Sequence, residues 1–157
     1  MDDPFSWRGL APGSRKDAGF FSASVASAQA IVLCESAIDA LSCHARYPAC
    51  RGLSTSGARP DPAWLTALLH ATLPVFCGFD ADPTGDAMAH RMIQLHPAIA
   101  RLRPPAKDWN DALPLPPRST GCLRPLLRSA LLRSLLGIRS LLGKEIPRPV
   151  TQVDHFS

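Results

Sequence analysis

Asp80 and Asp82 stand one residue apart, directly behind the apolar run at 74–79. On an extended segment, side chains at i and i+2 point the same way, so both carboxylates can face one point. Like charges that close repel. A hard divalent cation between them cancels the repulsion. Mg2+ takes oxygen ligands, commonly one or two carboxylates completed by water and phosphate oxygens. An isolated pair of this kind is more often a loop with an Asx turn at a strand end. Here other acids weigh against that plain reading. Glu35 closes the apolar run at 30–34, and Asp39 follows one helical turn later. By itself Asp39 reads as a first-turn acid favoured by the helix dipole. "KDWNDAL" at 107–113 brings Lys107, Asp108, Asn110 and Asp111 together, with Trp109 as an apolar anchor in what is otherwise a solvated turn.

Such a set suits phosphoryl transfer, which needs charge neutralised on non-bridging oxygens and the attacking and leaving groups held in line. The carboxylates would hold Mg2+, or Mn2+ in its place, and Lys107 would contact a phosphate. Arg59, Arg101 and Arg103 would hold a nucleic-acid backbone. Each of these arginines is more often simply a solvated surface residue.

The elements that must position these groups follow from periodicity and end signals. "AIVLCE" at 30–35 predicts a buried strand. The stretch at 36–48 predicts a helix with Ser36 as N-cap, with Ile38, Leu41, Ser42 and Ala45 at helical spacing and Pro48 beyond its end. A short strand and turn at 51–57 precede a helix at 61–72, with Asp61 as N-cap and Pro62 at its first position. A strand at 74–80, a helix at 83–96 opened by Pro-Thr-Gly, and a strand at 98–105 stopped by two prolines complete the series. Short apolar strands alternating with helices imply an α/β fold, a mostly parallel four-stranded sheet flanked by helices. Sites in such sheets lie at the C-terminal strand ends, where both Glu35 and Asp80 fall.

The organisation follows the same boundaries. Residues 1–29 form a polar lead-in with at most one edge strand, 30–113 the α/β domain, and 114–157 a Pro-rich linker and a basic Leu/Arg-rich tail. The tail nearly repeats itself, with "RSLLG" at 133–137 and again at 139–143. Arg124, Arg128, Arg133 and Arg139 gather on no clean helical face there. A basic helix on a partner or a membrane surface and a poorly ordered tail fit equally.

A chain of 157 residues with 46% apolar content suits one domain. A net charge of +4 permits a nucleic-acid partner without arguing for one. No 20-residue window is free of charge, so no transmembrane helix is expected. The N-terminus has no apolar core of a secretory signal. The five cysteines, Cys34, Cys43, Cys50, Cys77 and Cys122, are odd in number with no C-x-x-C pair. Neither a disulfide framework nor a zinc site is expected, and a reducing cytoplasm is the natural location.

In order and spacing, "VLCESAIDALS", "GLSTSGARPDPAWLTALL", "PVFCGFDADPTGDAMAHRM" and "RPPAKDWNDAL" resemble the Toprim domain. That domain is shared by primases, topoisomerases and some nucleases. The likeness is strongest to the primase-like type of plasmids and other mobile elements. The lead-in "WRGLAPGSRKDAGFF" is similar too, so the resemblance covers roughly residues 7–113. It implies a Toprim-like, Rossmann-like sheet and Mg2+-dependent work on DNA or RNA, with nucleotides and other replication or mobilisation proteins as further partners. It implies that Glu35 is a general acid/base with Lys107 beside it in the catalytic set, that Asp80 and Asp82 bind metal, and that Asp39 and Asp108 are further acidic positions of the metal site. Ser36 stands where primases have glycine, and Asn110 where they have a second aspartate, which puts a second metal position in doubt.

Two other readings compete. One is a non-catalytic nucleic-acid-binding module or remnant of a larger primase-like protein. The other is a haloacid-dehalogenase-type phosphatase, since "DADPT" matches that family's D-x-D-x-T motif. That family carries the motif on its first strand, whereas here a strand–helix–strand–helix block comes first.

Overall fold

The computed structural model of the chain describes residues 12–70 and 73–116. Residues 1–11 of the lead-in, the Leu/Arg-rich segment and Cys122 lie outside the described residues. Among the described residues, five strands form one sheet in the order β1-β3-β2-β4-β5. They are β1 (Phe21–Ala23), β2 (Ala30–Cys34), β3 (Cys50–Ser54), β4 (Val75–Cys77) and β5 (Ala100–Arg101). The last four run parallel, and β1 closes one edge antiparallel to β3. The four expected strands are present but shorter than their apolar runs, and β1 is the edge strand in the lead-in.

Three helices connect the parallel strands: α1 (Ala37–Arg46), α2 (Leu65–Leu69) and α3 (Pro83–Leu95). Alternation along β2 splits the core into two layers. Ala30, Val32 and Cys34 face Ala40, Cys43, Tyr47 and Trp109. Ile31 and Leu33 face Leu65, Phe79, Ala89 and Met92. Every residue of β2 is buried, as a central strand covered on both faces requires.

The outer face of α1 carries the larger apolar side chains. Ile38 and Leu41 are 63% and 52% exposed, while Ala40 and Cys43 are fully buried. The reason lies beneath the helix. A Cβ on Gly52 of β3 would sit 2.2 Å from the Ala40 carbonyl oxygen, so backbone meets backbone and only small side chains fit between. Ser36 is the N-cap as expected, accepting from the Asp39 N–H. The helix expected from Asp61 starts later, and α2 has Trp64 in its N-cap position. The Asp61 carboxylate instead meets His96 Nε2 at 3.0 Å.

The four described cysteines are free and buried. Burial pushes the Cys50 thiol up to about 12 and the Cys77 thiol to about 11. These thiols behave as small core hydrophobes.

Candidate metal centre

The chain leaves β2 toward β3 on one side, then crosses to place β4 on the other side of β2. The strand order therefore reverses between β2 and β4, where parallel sheets open a crevice at their C-terminal ends. In register, Leu33 lies opposite Cys77, and Gly78 continues the pairing by donating to the Leu33 carbonyl at 2.8 Å. Glu35 leaves one lip of the crevice and Asp80 the other. The Asp80 N–H donates to Glu35 Oε1 at 3.0 Å.

Glu35 is braced from the opposite side by the turn after β3. Its carbonyl accepts from the Gly57 N–H at 2.8 Å and from Ser54 Oγ at 3.2 Å. Ser56 and Gly57 both have positive φ there, 57° and 111°. Burial raises the Glu35 carboxyl above its ordinary range. The Asp82 and Asp39 charges add to that, while the Asp80 N–H and Arg101 oppose it.

Asp80 is more strongly affected. Burial, followed by the charges of Glu35, Asp39, Asp108 and Asp82, pushes its carboxyl up to about 7. Its Oδ1 atom is buried with no hydrogen-bond partner. Asp82 has two tasks. It is the N-cap of α3, with Oδ1 accepting from the Gly85 N–H at 2.7 Å, which leaves Oδ2 uncommitted. Gly85 is required at this point, because a Cβ there would lie 2.3 Å from the Asp80 carbonyl oxygen. No sequence pattern marked this glycine beyond its place in the Pro-Thr-Gly turn.

Asp39 is buried and takes a hydrogen bond from Ser36 Oγ at 2.5 Å on Oδ2. It faces the cluster closely enough for its charge to act on both Glu35 and Asp80. The 107–113 segment is fastened by Trp109, fully buried, whose Nε1–H donates to the Gly78 carbonyl at 2.7 Å. The ring meets Tyr47 edge-on. Gly78 has no room for a side chain, since its Cβ would lie 2.5 Å from Val32 Cγ1. The Lys107 carbonyl accepts the Ala81 N–H at 2.7 Å, and the Lys107 side chain is exposed. Asp108 Oδ1 accepts from the Asp111 N–H at 2.7 Å. Asn110 and Asp111 are exposed.

The three arginines are engaged within the protein. Arg59 pairs with the Asp17 carboxylate. Arg101 donates to the carbonyls of Cys77, Phe79 and Asp80 and to Asp86. Arg103 donates to the Ala81 carbonyl and to Asp86. Sequence reasoning assigned Asp86 no part in this. Only its spacing from Asp82, one turn into α3, hinted that it returns to the loop.

Among the described residues, no group of three or more His, Cys, Asp or Glu side chains is arranged to hold a metal by itself. Mg2+ does not need such a cage, because one or two carboxylates with water and phosphate oxygens suffice. The unpartnered Asp80 Oδ1 and the free Asp82 Oδ2 fit that pattern. So does an Asp80 carboxyl whose ionisation is held back by burial and by neighbouring negative charge.

Residues 32–113 match the protein family described as Toprim-like. No curated protein and no solved structure matches the chain. Toprim domains act on nucleic acid in metal-dependent reactions and generally bind Mg2+. The match spans just over half of the chain and runs from Val32 within β2 through β5, taking in both lips of the crevice and the Lys107-Asp108 turn, and the chain belongs to the Toprim-like family.

Proposed function

We propose that this chain carries out Mg2+-dependent phosphoryl or nucleotidyl transfer on DNA or RNA in a primase-like role, within replication or mobilisation of a plasmid or other mobile element. The observation that carries the reading is the hydrogen bond from the Asp80 N–H to Glu35 Oε1. It joins an acid/base candidate to the carboxylate pair across the strand-order switch.

In this reading Asp80 Oδ1 and Asp82 Oδ2 hold the cation, with Asp39 and Asp108 tuning it from outside. Bound Mg2+ supplies charge neutralisation on the non-bridging phosphate oxygens. Mn2+ substitutes for it. Glu35 keeps Oε2 free to take a proton from an attacking hydroxyl or return one to a leaving oxygen. Lys107 contacts a phosphate, and the exposed edges of Arg59 and Arg103 contact the backbone. Nucleotides and other replication or mobilisation proteins are the further partners. Four buried free thiols support a cytoplasmic setting, and no helix among the described residues is long and apolar enough to cross a membrane.

The test is Mg2+ titration of the full chain with and without a primed template, followed by assays of primer synthesis and phosphodiester cleavage. Metal-dependent turnover supports the enzyme. Nucleic-acid binding without turnover favours a non-catalytic module or primase remnant.

A further inference from the structure

The loop at 78–82 is a ribbon with two differently committed edges. On one edge the N–H groups of Asp80 and Ala81 donate to Glu35 Oε1 and the Lys107 carbonyl. On the other edge three successive carbonyls, those of Phe79, Asp80 and Ala81, accept from Arg101 and Arg103 at 2.8–2.9 Å. Both guanidiniums then turn to a single anion. Arg101 meets Asp86 Oδ1 at 2.8 Å and Arg103 meets Oδ2 at 3.0 Å. Asp86 stands in the first turn of α3, the helix that Asp82 caps. The arginines leave β5 and the residue two beyond it. Loop, strand and helix are thus tied at one point.

We propose that Asp86, Arg101 and Arg103 form a clasp that sets the affinity of the Asp80–Asp82 pair for a divalent cation without touching it. The two arginines are positioning residues. This rests on the reading that the carboxylate pair holds Mg2+. A planar guanidinium suits the task, because its fixed donors fork between acceptors that an ammonium would meet one at a time. With its carbonyl edge anchored, the ribbon holds its two acidic side chains at a set separation. Asp86 stays ionised at all working pH, since the hydrogen bonds from Arg103 and Arg101 hold its carboxyl down at about 2.

The sign of one measurement separates positioning from plain charge. An arginine beside a cation site repels the cation, so charge alone predicts that removing it tightens Mg2+ binding. Positioning predicts the opposite. Partners that orient metal ligands typically change metal affinity by roughly 10- to 100-fold. Arg101→Gln is expected to weaken Mg2+ binding to that extent in calorimetry. Arg101→Lys restores the charge and is expected to recover little of it. Arg103→Gln, at a half-exposed side chain whose loss leaves the core intact, is expected to weaken binding by a smaller factor with the melting temperature unchanged.

Amide hydrogen exchange on the metal-free chain gives a second readout. The Asp80 and Ala81 amides should exchange faster in both glutamine variants, with the β2 amides unchanged. Unchanged exchange, or Mg2+ binding that is unchanged or tighter in Arg103→Gln, overturns the clasp. Faster exchange in variants of a wild-type chain that itself binds no Mg2+ overturns the metal reading instead, and with it the effect on affinity.

Discussion

The Asp80 amide and the Glu35 carboxylate meet at 3.0 Å, so the two lips of the crevice are joined before any ligand arrives. Glutamine at position 35 keeps an oxygen to receive that N–H but loses the titratable proton. Glu35→Gln should leave the melting temperature and nucleic-acid affinity nearly unchanged. Any Mg2+-dependent turnover should fall by about two orders of magnitude or more. Binding and turnover measured on one preparation at fixed salt decide this, because backbone contacts are salt-sensitive. Full turnover in the variant would make Glu35 a structural strand-end residue.

The raised Asp80 carboxyl makes metal-free stability fall with pH. Its pKa rises from an ordinary 3.8 to about 7 on folding, so the folded state binds more protons between those values. Stability contributed by protonated Asp80 is therefore present below about pH 4 and lost as pH rises through about 7. Glu35 acts in the same direction. Thermal unfolding in chelator should show a melting temperature that declines across this window. Asp80→Asn should flatten the decline, and added Mg2+ should stabilise more at pH 8 than at pH 5. A flat profile for the wild-type chain would contradict the burial of this carboxyl.

Asp82 separates its two tasks by substitution. Asparagine is as good an N-cap as aspartate, so Asp82→Asn should keep α3 intact while weakening Mg2+ binding. Asp82→Ala loses the cap as well and should cost about 1 kcal/mol in denaturant unfolding. Equal stabilities for the two variants would remove Asp82 from the cap.

Gly85→Ala opposes helix propensity to packing. Propensity favours alanine by about 1 kcal/mol. The new methyl would lie 2.3 Å from the Asp80 carbonyl, a backbone atom already fixed by Arg101. Packing should prevail, with a net loss of about 1–2 kcal/mol and weaker Mg2+ binding. A stabilised variant with unchanged metal affinity would show that the loop yields freely.

Arg46 ties the last described residues to α1. Its buried guanidinium donates to the carbonyls of Ala112, Leu115 and Pro116. A chain ending after Pro116 should keep its melting temperature. One ending after Leu113 forfeits two of these acceptors and should melt earlier, with Arg46→Met losing about 2 kcal/mol or more. A large loss on ending at Pro116 would instead show that the Leu/Arg-rich segment contributes to the core.

Much of this was legible in the chain because short buried strands and helix starts are local. The apolar run before Glu35, the Pro-Thr-Gly opening of α3 and the Ser36 cap each declare themselves within a few residues. The face that α1 buries was not legible. It depends on Gly52 of a different strand, and periodicity alone favoured Ile38 and Leu41 over Ala40 and Cys43. Asp61 looked like a helix cap, but its partner His96 is 35 residues away. The internal partners of the basic residues were hidden for the same reason. Arg101 and Arg103 read as surface cations, and the fold brings Asp86 and four carbonyls to them.

The two edges of the sheet are three and two residues long, in β1 and β5. Unpaired strand edges are templates on which other chains add and aggregate, and shortness is a principal defence. Just past β5, Pro104 and Pro105 offer no N–H to an incoming strand. Glu35, Asp80 and Asp82 follow the C-terminal ends of the inner strands β2 and β4. Among the described residues, then, the acids gather at one end of the sheet while both of its side edges stay short.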